Sequence, residues 1–157
     1  MTPGRRPASG ITLIEMLVVV ALIGIVAAIS FPAVTSGIDS LRLTQASDGV
    51  VTFLNSALTQ AERRQQVVEV VVSAAEKSLR ARSADGGWTR TFAMPQGVSI
   101  THIFPDLPTG PAEERQFFVY PGGSSPRVGV EVTNARGAAR LVRVDPVSGI
   151  ALVERTR

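Results

Sequence analysis

Apolar and polar positions divide the chain into three stretches of different period. From Ile11 to Phe31 the sequence ITLIEMLVVVALIGIVAAISF is apolar on every side, and Glu15 is its only charge. At about 1.5 Å of rise per residue, a helix of this length spans about 31 Å, the thickness of a bilayer's hydrocarbon core. Beyond Ser36-Gly37 the apolar positions thin to one stripe. Val50, Phe53, Leu54, Ala57, Leu58 and Ala61 recur at helical spacing, while Thr52, Asn55, Ser56, Thr59, Gln60, Glu62 and Arg63 fill the other side. The period changes again at Val67, where Val-Val-Glu-Val-Val-Val is β-branched and suits a strand better than a helix.

From there the chain reads as short strands between turn signals, expected near 67–73, 78–83, 88–94, 98–104, 116–120, 128–133, 139–145 and 149–154. Asp85-Gly86-Gly87 and Asp145-Pro146-Val147-Ser148-Gly149 have the composition of hairpin turns. Pro105 to Glu114, with three prolines and a glycine, reads as a loop. The expected fold class is α+β: a long N-terminal helix, with a membrane half and an amphipathic half, packed on an antiparallel β-sheet head. The expected divisions are 1–10, 11–36 and 37–157, with the amphipathic helix at 38–64 and the β-rich region at 67–157.

At 157 residues the chain suits one domain of ordinary size. It has no cysteine, which removes thiolate nucleophiles, zinc–thiolate sites, iron–sulfur clusters and disulfides. The net charge of +3 is a mild excess and weak evidence for nucleic-acid binding. Charge placement says more. Arg5 and Arg6 precede the apolar run and the first charge after it is Asp39, so the positive-inside bias keeps the N-terminus in the cytoplasm and sends the rest across.

Three readings compete for the apolar segment. A cleaved secretory signal has an apolar region of only about 7 to 15 residues, although Ala27 and Ala28 resemble a small-residue cleavage site. A plain anchor leaves Glu15 unexplained, since an acid in a membrane helix costs about 2 to 3 kcal/mol unless paired. The third reading is a membrane helix whose carboxylate has a partner.

Ser9-Gly10-Ile11-Thr12-Leu13-Ile14-Glu15, followed by the apolar run and Pro32, resembles the leader and N-terminal helix of type IV pilins and type II secretion pseudopilins. The resemblance implies that residues 1–10 are a prepilin leader, that prepilin peptidase cuts between Gly10 and Ile11, and that Ile11 is then N-methylated. The family usually has Phe at that position. It further implies that Glu15 meets the N-terminal ammonium of a neighbouring subunit during filament assembly. The bland alternative is that Glu15 snorkels to the membrane edge. Pro32 favours a kink and Gly24 weakens the helix by about 1 kcal/mol relative to alanine, so the two mark a candidate helix break. Gly24 also suits a close contact between helices.

In the head, Gln65-Gln66, Tyr120-Pro121-Gly122-Gly123-Ser124-Ser125 and the stretch from Val142 to Ile150 resemble the GspH/FimT group of minor pseudopilins and pilin-like proteins. That resemblance implies a structural subunit of the type II secretion pseudopilus, near its tip, acting in filament initiation or export. The alternative is a FimT-like minor pilin of a type IV pilus, acting in pilus assembly or DNA uptake. The implied partners are other pseudopilins or pilins, prepilin peptidase, the inner-membrane assembly platform, and membrane lipid before assembly. The implied location is the bacterial inner membrane, with a periplasmic head and a periplasmic pseudopilus after assembly.

No enzyme signature is present: there is no Gly-x-Ser-x-Gly, no phosphate-binding Gly-rich loop with Lys, and no His-Glu-x-x-His. No cofactor and no metal are expected. The sole histidine, His102, alternates with apolar residues and reads as the solvent face of a strand. Asp106, Glu113 and Glu114 flank the proline-rich loop and read as solvated charges rather than calcium ligands. Arg136, Arg140, Arg143, Arg155 and Arg157 concentrate toward the C-terminus, but Glu131, Asp145 and Glu154 are interspersed, so nucleic acid is not an expected partner.

Overall fold

The computed structural model describes residues 12–106, 114–123 and 126–154. Helix α1 covers Leu13–Arg64 and is followed by eight strands: β1 (Val68–Ser73), β2 (Ser78–Ser83), β3 (Thr89–Ala93), β4 (Val98–Phe104), β5 (Glu114–Val119), β6 (Gly129–Asn134), β7 (Ala139–Val144) and β8 (Ala151–Glu154). All eight strands expected from the turn signals are present within about two residues, the usual uncertainty of strand ends. The chain divides into two compact units, Met1–Gly37 and Ile38–Arg157.

In the first unit, the described apolar side chains have no protein to pack on. Leu13 is 84% exposed, Ile23 62% and Phe31 73%, values that suit lipid or neighbouring helices rather than water.

In the second unit α1 is amphipathic. Leu43, Ala46, Ser47, Val50, Phe53, Leu54, Ala57 and Ala61 are buried along one stripe. The stripe begins seven residues earlier than the Val50 start read from the sequence, because Leu43 and Ala46 lie on the same face. Burying side chains the size of Phe53 and Leu54 stabilises by about 1.5 to 3 kcal/mol each, so this face holds the unit together. The helix closes with Arg63 and Arg64 in its last turn, where cations suit the dipole. Gln65 then takes a left-handed conformation (φ 51°), and the Gln66 N–H donates to Ala61 O at 3.2 Å, an arrangement that satisfies a terminal carbonyl.

The strands form two four-stranded antiparallel sheets, in the orders β3-β2-β1-β5 and β4-β6-β7-β8. The antiparallel β head expected from the sequence is present, and its division into two sheets is what the structure adds. Periodicity places strands but carries no information about pairing between β1 and β5, or β4 and β6, across intervening elements. Val68, Val70, Val72, Leu79 and Ala81 of the first sheet join Val98, Ile100, Ile103, Val130, Val132, Val142, Val144 and Ala151 of the second in one core with the helix face. In β4 a register shift between Ile100 and His102 lets both Ile100 and Ile103 be buried, although their spacing of three would place them on opposite faces of a regular strand.

Two aspartates build the hairpin turns. In the β2–β3 turn the Asp85 carboxylate accepts from Ser83 Oγ (2.5 Å) and the Gly87 N–H (2.9 Å), while Gly86 supplies φ of 70°. In the β7–β8 turn the Asp145 carboxylate accepts from the Val147 N–H at 2.8 Å, and Gly149 sits at φ 67°. These bonds stabilise the charged form. Asp85 is held below its ordinary value of 3.8 chiefly by the Ser83 hydroxyl, and Asp145 chiefly by the Val147 N–H.

Candidate functional site

The N-terminal motif enters the structure at Thr12. Its hydroxyl accepts from the Glu15 N–H at 3.3 Å, and its carbonyl accepts from the Glu15 and Met16 N–H groups at 3.1 and 3.2 Å. Thr12 therefore caps α1, and Thr-x-x-Glu has the spacing of a capping box. In sequence Glu15 stands out as a charge that either meets a partner or snorkels, and its i, i+3 spacing from Thr12 also announces this helix start. Glu15 is exposed, and it is the only ionisable group of α1 before Asp39. Its carboxylate has no hydrogen-bond or ion-pair partner among the described residues. The expected cleavage and methylation positions, Gly10 and Ile11, lie outside the described residues.

Helix α1 runs without interruption through Gly24 and Pro32. Gly24 has open space around it, with nothing within 4 Å of an added Cβ. Close approach by another helix is therefore sterically free there.

The described arginines toward the C-terminus are engaged within the second unit. Arg136 Nε lies 2.8 Å from Asp39 Oδ2, and Arg42 shares that carboxylate at 3.9 Å. Arg143 Nε pairs with Glu154 Oε2 at 3.0 Å, while Arg140 Nη1 donates to the buried Ser47 Oγ at 3.3 Å. Arg155 and Arg157 lie outside the described residues. These pairs disperse the cations over three places instead of aligning them for a phosphate backbone.

His102 faces solvent on β4, where Nε2 lies 2.5 Å from Asp106 Oδ1 and the ring 4.8 Å from Phe104. Glu114 begins β5, and Glu113 lies outside the described residues. No group of three or more histidines or carboxylates is placed to hold a metal among the described residues. A residue the sequence did not single out is Arg115, 8% exposed on β5, whose guanidinium donates to the Pro105 carbonyl at the end of β4. Only its alternation with Phe117 and Val119 on one strand face signals that it points inward.

Residues 5–31 match the prokaryotic N-terminal methylation motif. Over 57 residues the chain is 40% identical to type II secretion system protein H of Xanthomonas campestris pv. campestris, covering 36% of this chain and 34% of that protein. The chain thus aligns with about a third of the length of the curated relative it matches. No solved structure matches it. The methylation motif, the partial identity and the long helix on antiparallel sheets support one reading, a GspH-like protein of the pilin type.

Proposed function

We propose that this protein is a minor pseudopilin, a non-enzymatic subunit of the type II secretion pseudopilus. The observation that carries the reading is Glu15: one carboxylate, without a partner among the described residues, in the first turn of a helix whose N-terminal stretch is otherwise apolar and long enough to cross a bilayer. Such a group is costly in lipid alone and is offset by an opposite charge from outside the chain. Cleavage after Gly10 frees that charge as the α-ammonium of Ile11 on the neighbouring subunit, and methylation there leaves it cationic. A 4 Å pair at an effective dielectric of 20 attracts by about 4 kcal/mol before desolvation, enough to fix the axial register of one subunit on the next.

On this reading the subunit waits in the inner membrane, N-terminus cytoplasmic and head periplasmic. It is drawn by the assembly platform into contact with other pseudopilins near the filament tip. Its uninterrupted helix melts between Gly24 and Pro32 only when it leaves lipid for the filament. The engagement of Arg136, Arg140 and Arg143 within the head favours the secretion reading over a FimT-like pilin acting in DNA uptake.

Two measurements test this. Deleting the gene should abolish export of the type II substrates and leave twitching and transformation intact; the reverse pattern assigns the protein to a type IV pilus. Glu15→Gln should be processed and inserted but fail to crosslink to neighbouring subunits. A normal crosslinking yield means that Glu15 only snorkels.

A further inference from the structure

We propose that the free edge of β3 is a docking site for an extended, acidic segment of a partner protein, which adds antiparallel as a fifth strand to the first sheet. β3 is the outer strand of that sheet and pairs with β2 on one side only. The Ser83 N–H donates to Trp88 O at 2.9 Å and the Met94 N–H to Lys77 O at 2.8 Å, which sets the phase of the ladder. Bonded and non-bonded pairs alternate in an antiparallel ladder, so Arg90 and Phe92 turn their backbone groups toward β2. Thr89, Thr91 and Ala93 turn N–H and C=O to the open side, where no described residue meets them.

The other edges are less suited. β4 is broken by its register shift, β8 has four residues, and β5 carries Arg115 bonded to the end of β4. β3 has neither proline nor bulge, and four of its five residues are exposed.

Charge selects the occupant. Arg90 and Phe92 lie opposite Ala81 and Leu79, on the core-facing side, and Arg90 has no ion-pair partner among the described residues. Arg80 and Arg82, on the opposite face of β2, are already paired with Glu76 and Glu69. A second copy of this chain pairing β3 on β3 would bring two Arg90 side chains to one seam, and like charges across a ladder repel. An incoming antiparallel strand is instead complementary when it places an apolar residue opposite Phe92 and, two residues later, a carboxylate opposite Arg90. Main-chain bonds supply affinity and this apolar-x-acidic pattern supplies selectivity. The inference does not depend on which secretion or pilus machine the protein serves.

The test uses the full chain in detergent and the fluorescein-labelled peptide Ser-Thr-Val-Thr-Glu-Thr-Ser, read by fluorescence anisotropy. Binding should weaken about fivefold when the peptide Glu is replaced by Lys, and Arg90→Glu should reverse that preference. N-methylation of the central Thr, whose amide faces Thr91, should abolish binding, while N-methylation of the Glu amide, which points away, should not. Thr91→Pro removes an edge N–H that β2 does not use, so the variant should fold and lose binding at least fivefold. No binding at about 1 mM peptide overturns the proposal. So does binding indifferent to methyl position or to Arg90→Glu, or a dimer of the chain that Thr91→Pro dissolves.

Discussion

Replacing Gly49 by alanine should destabilise the protein although it improves the helix. Glycine in a helix interior costs about 1 kcal/mol relative to alanine, so on an exposed face the change would stabilise. Gly49, however, faces β3. A Cβ built there falls within 2.5 Å of Phe92 Cε2 and closer still to Cζ, well inside van der Waals contact. The ring has to swing out and lose packing against the core, a change of the kind that costs about 1 to 3 kcal/mol. Subtracting the helix gain leaves a net destabilisation of about 1 kcal/mol, or about 2 to 4 °C in Tm for a chain of this size. The double-mutant cycle is sharper than the single value. With Phe92→Ala the obstruction is gone, and Gly49→Ala should then stabilise by up to about 1 kcal/mol, reversing sign. Chemical denaturation of the four proteins followed by circular dichroism measures the cycle. Stabilisation by Gly49→Ala in the presence of Phe92, or the same sign in both backgrounds, refutes the reasoning.

Gly10→Leu should block processing, because a peptidase that grips the backbone just before the cut leaves no room for a side chain; mass spectrometry should find the intact precursor, and a mature Ile11 terminus would sink the assignment. Asp85 and Asp145 have folded pKa values below the unfolded one, so their contribution to stability is complete above about pH 3.8 and is lost as pH falls through the folded values. Acid titration of stability should accordingly be shallower below that pH in Asp85→Asn and Asp145→Asn, and unchanged curves would count against the turn bonds. A fragment of residues 38–157 should be a folded monomer with no appreciable affinity for duplex DNA at physiological salt. Micromolar binding that Arg155→Ala and Arg157→Ala reduce, with a steep salt dependence, would reverse the preference for secretion.

Local features of the fold were legible because local chemistry dictates them. Asp-Gly-Gly and Asp-Pro-Val-Ser-Gly announce turns through side-chain acceptors and left-handed glycines, and both turns are where they were expected. The turn at Ala135–Gly137 was less visible. Its organiser is Asn134, whose side-chain oxygen accepts from the Arg136 and Ala138 N–H groups, but in sequence it is one polar residue at a strand end. The division into two sheets follows from contacts between residues far apart in the chain. Gly49 illustrates the same limit: periodicity marks it only as a weak helix former, and its reason is a ring 43 positions away. At the N-terminus the same four residues carry two signals, the lone charge of Glu15 in an apolar run and the Thr-x-x-Glu spacing of a capped first turn, and the bonds at Thr12 match the second.

Asn55 links the amphipathic helix to the last strand in both directions: its amide nitrogen donates to Ala151 O at 3.2 Å and its oxygen accepts from the Ala151 N–H at 2.9 Å. A side chain here does the job of a peptide group, and its partner arrives 96 residues later in the chain. The helix is thus made long before the strand that completes its inner surface, and a chain that stops short of Ala151 presents a half-buried amide with nothing to satisfy it. Until β8 is in place this tie between the helix and the second sheet stays open, so closing it falls to the last strand of the chain to be made.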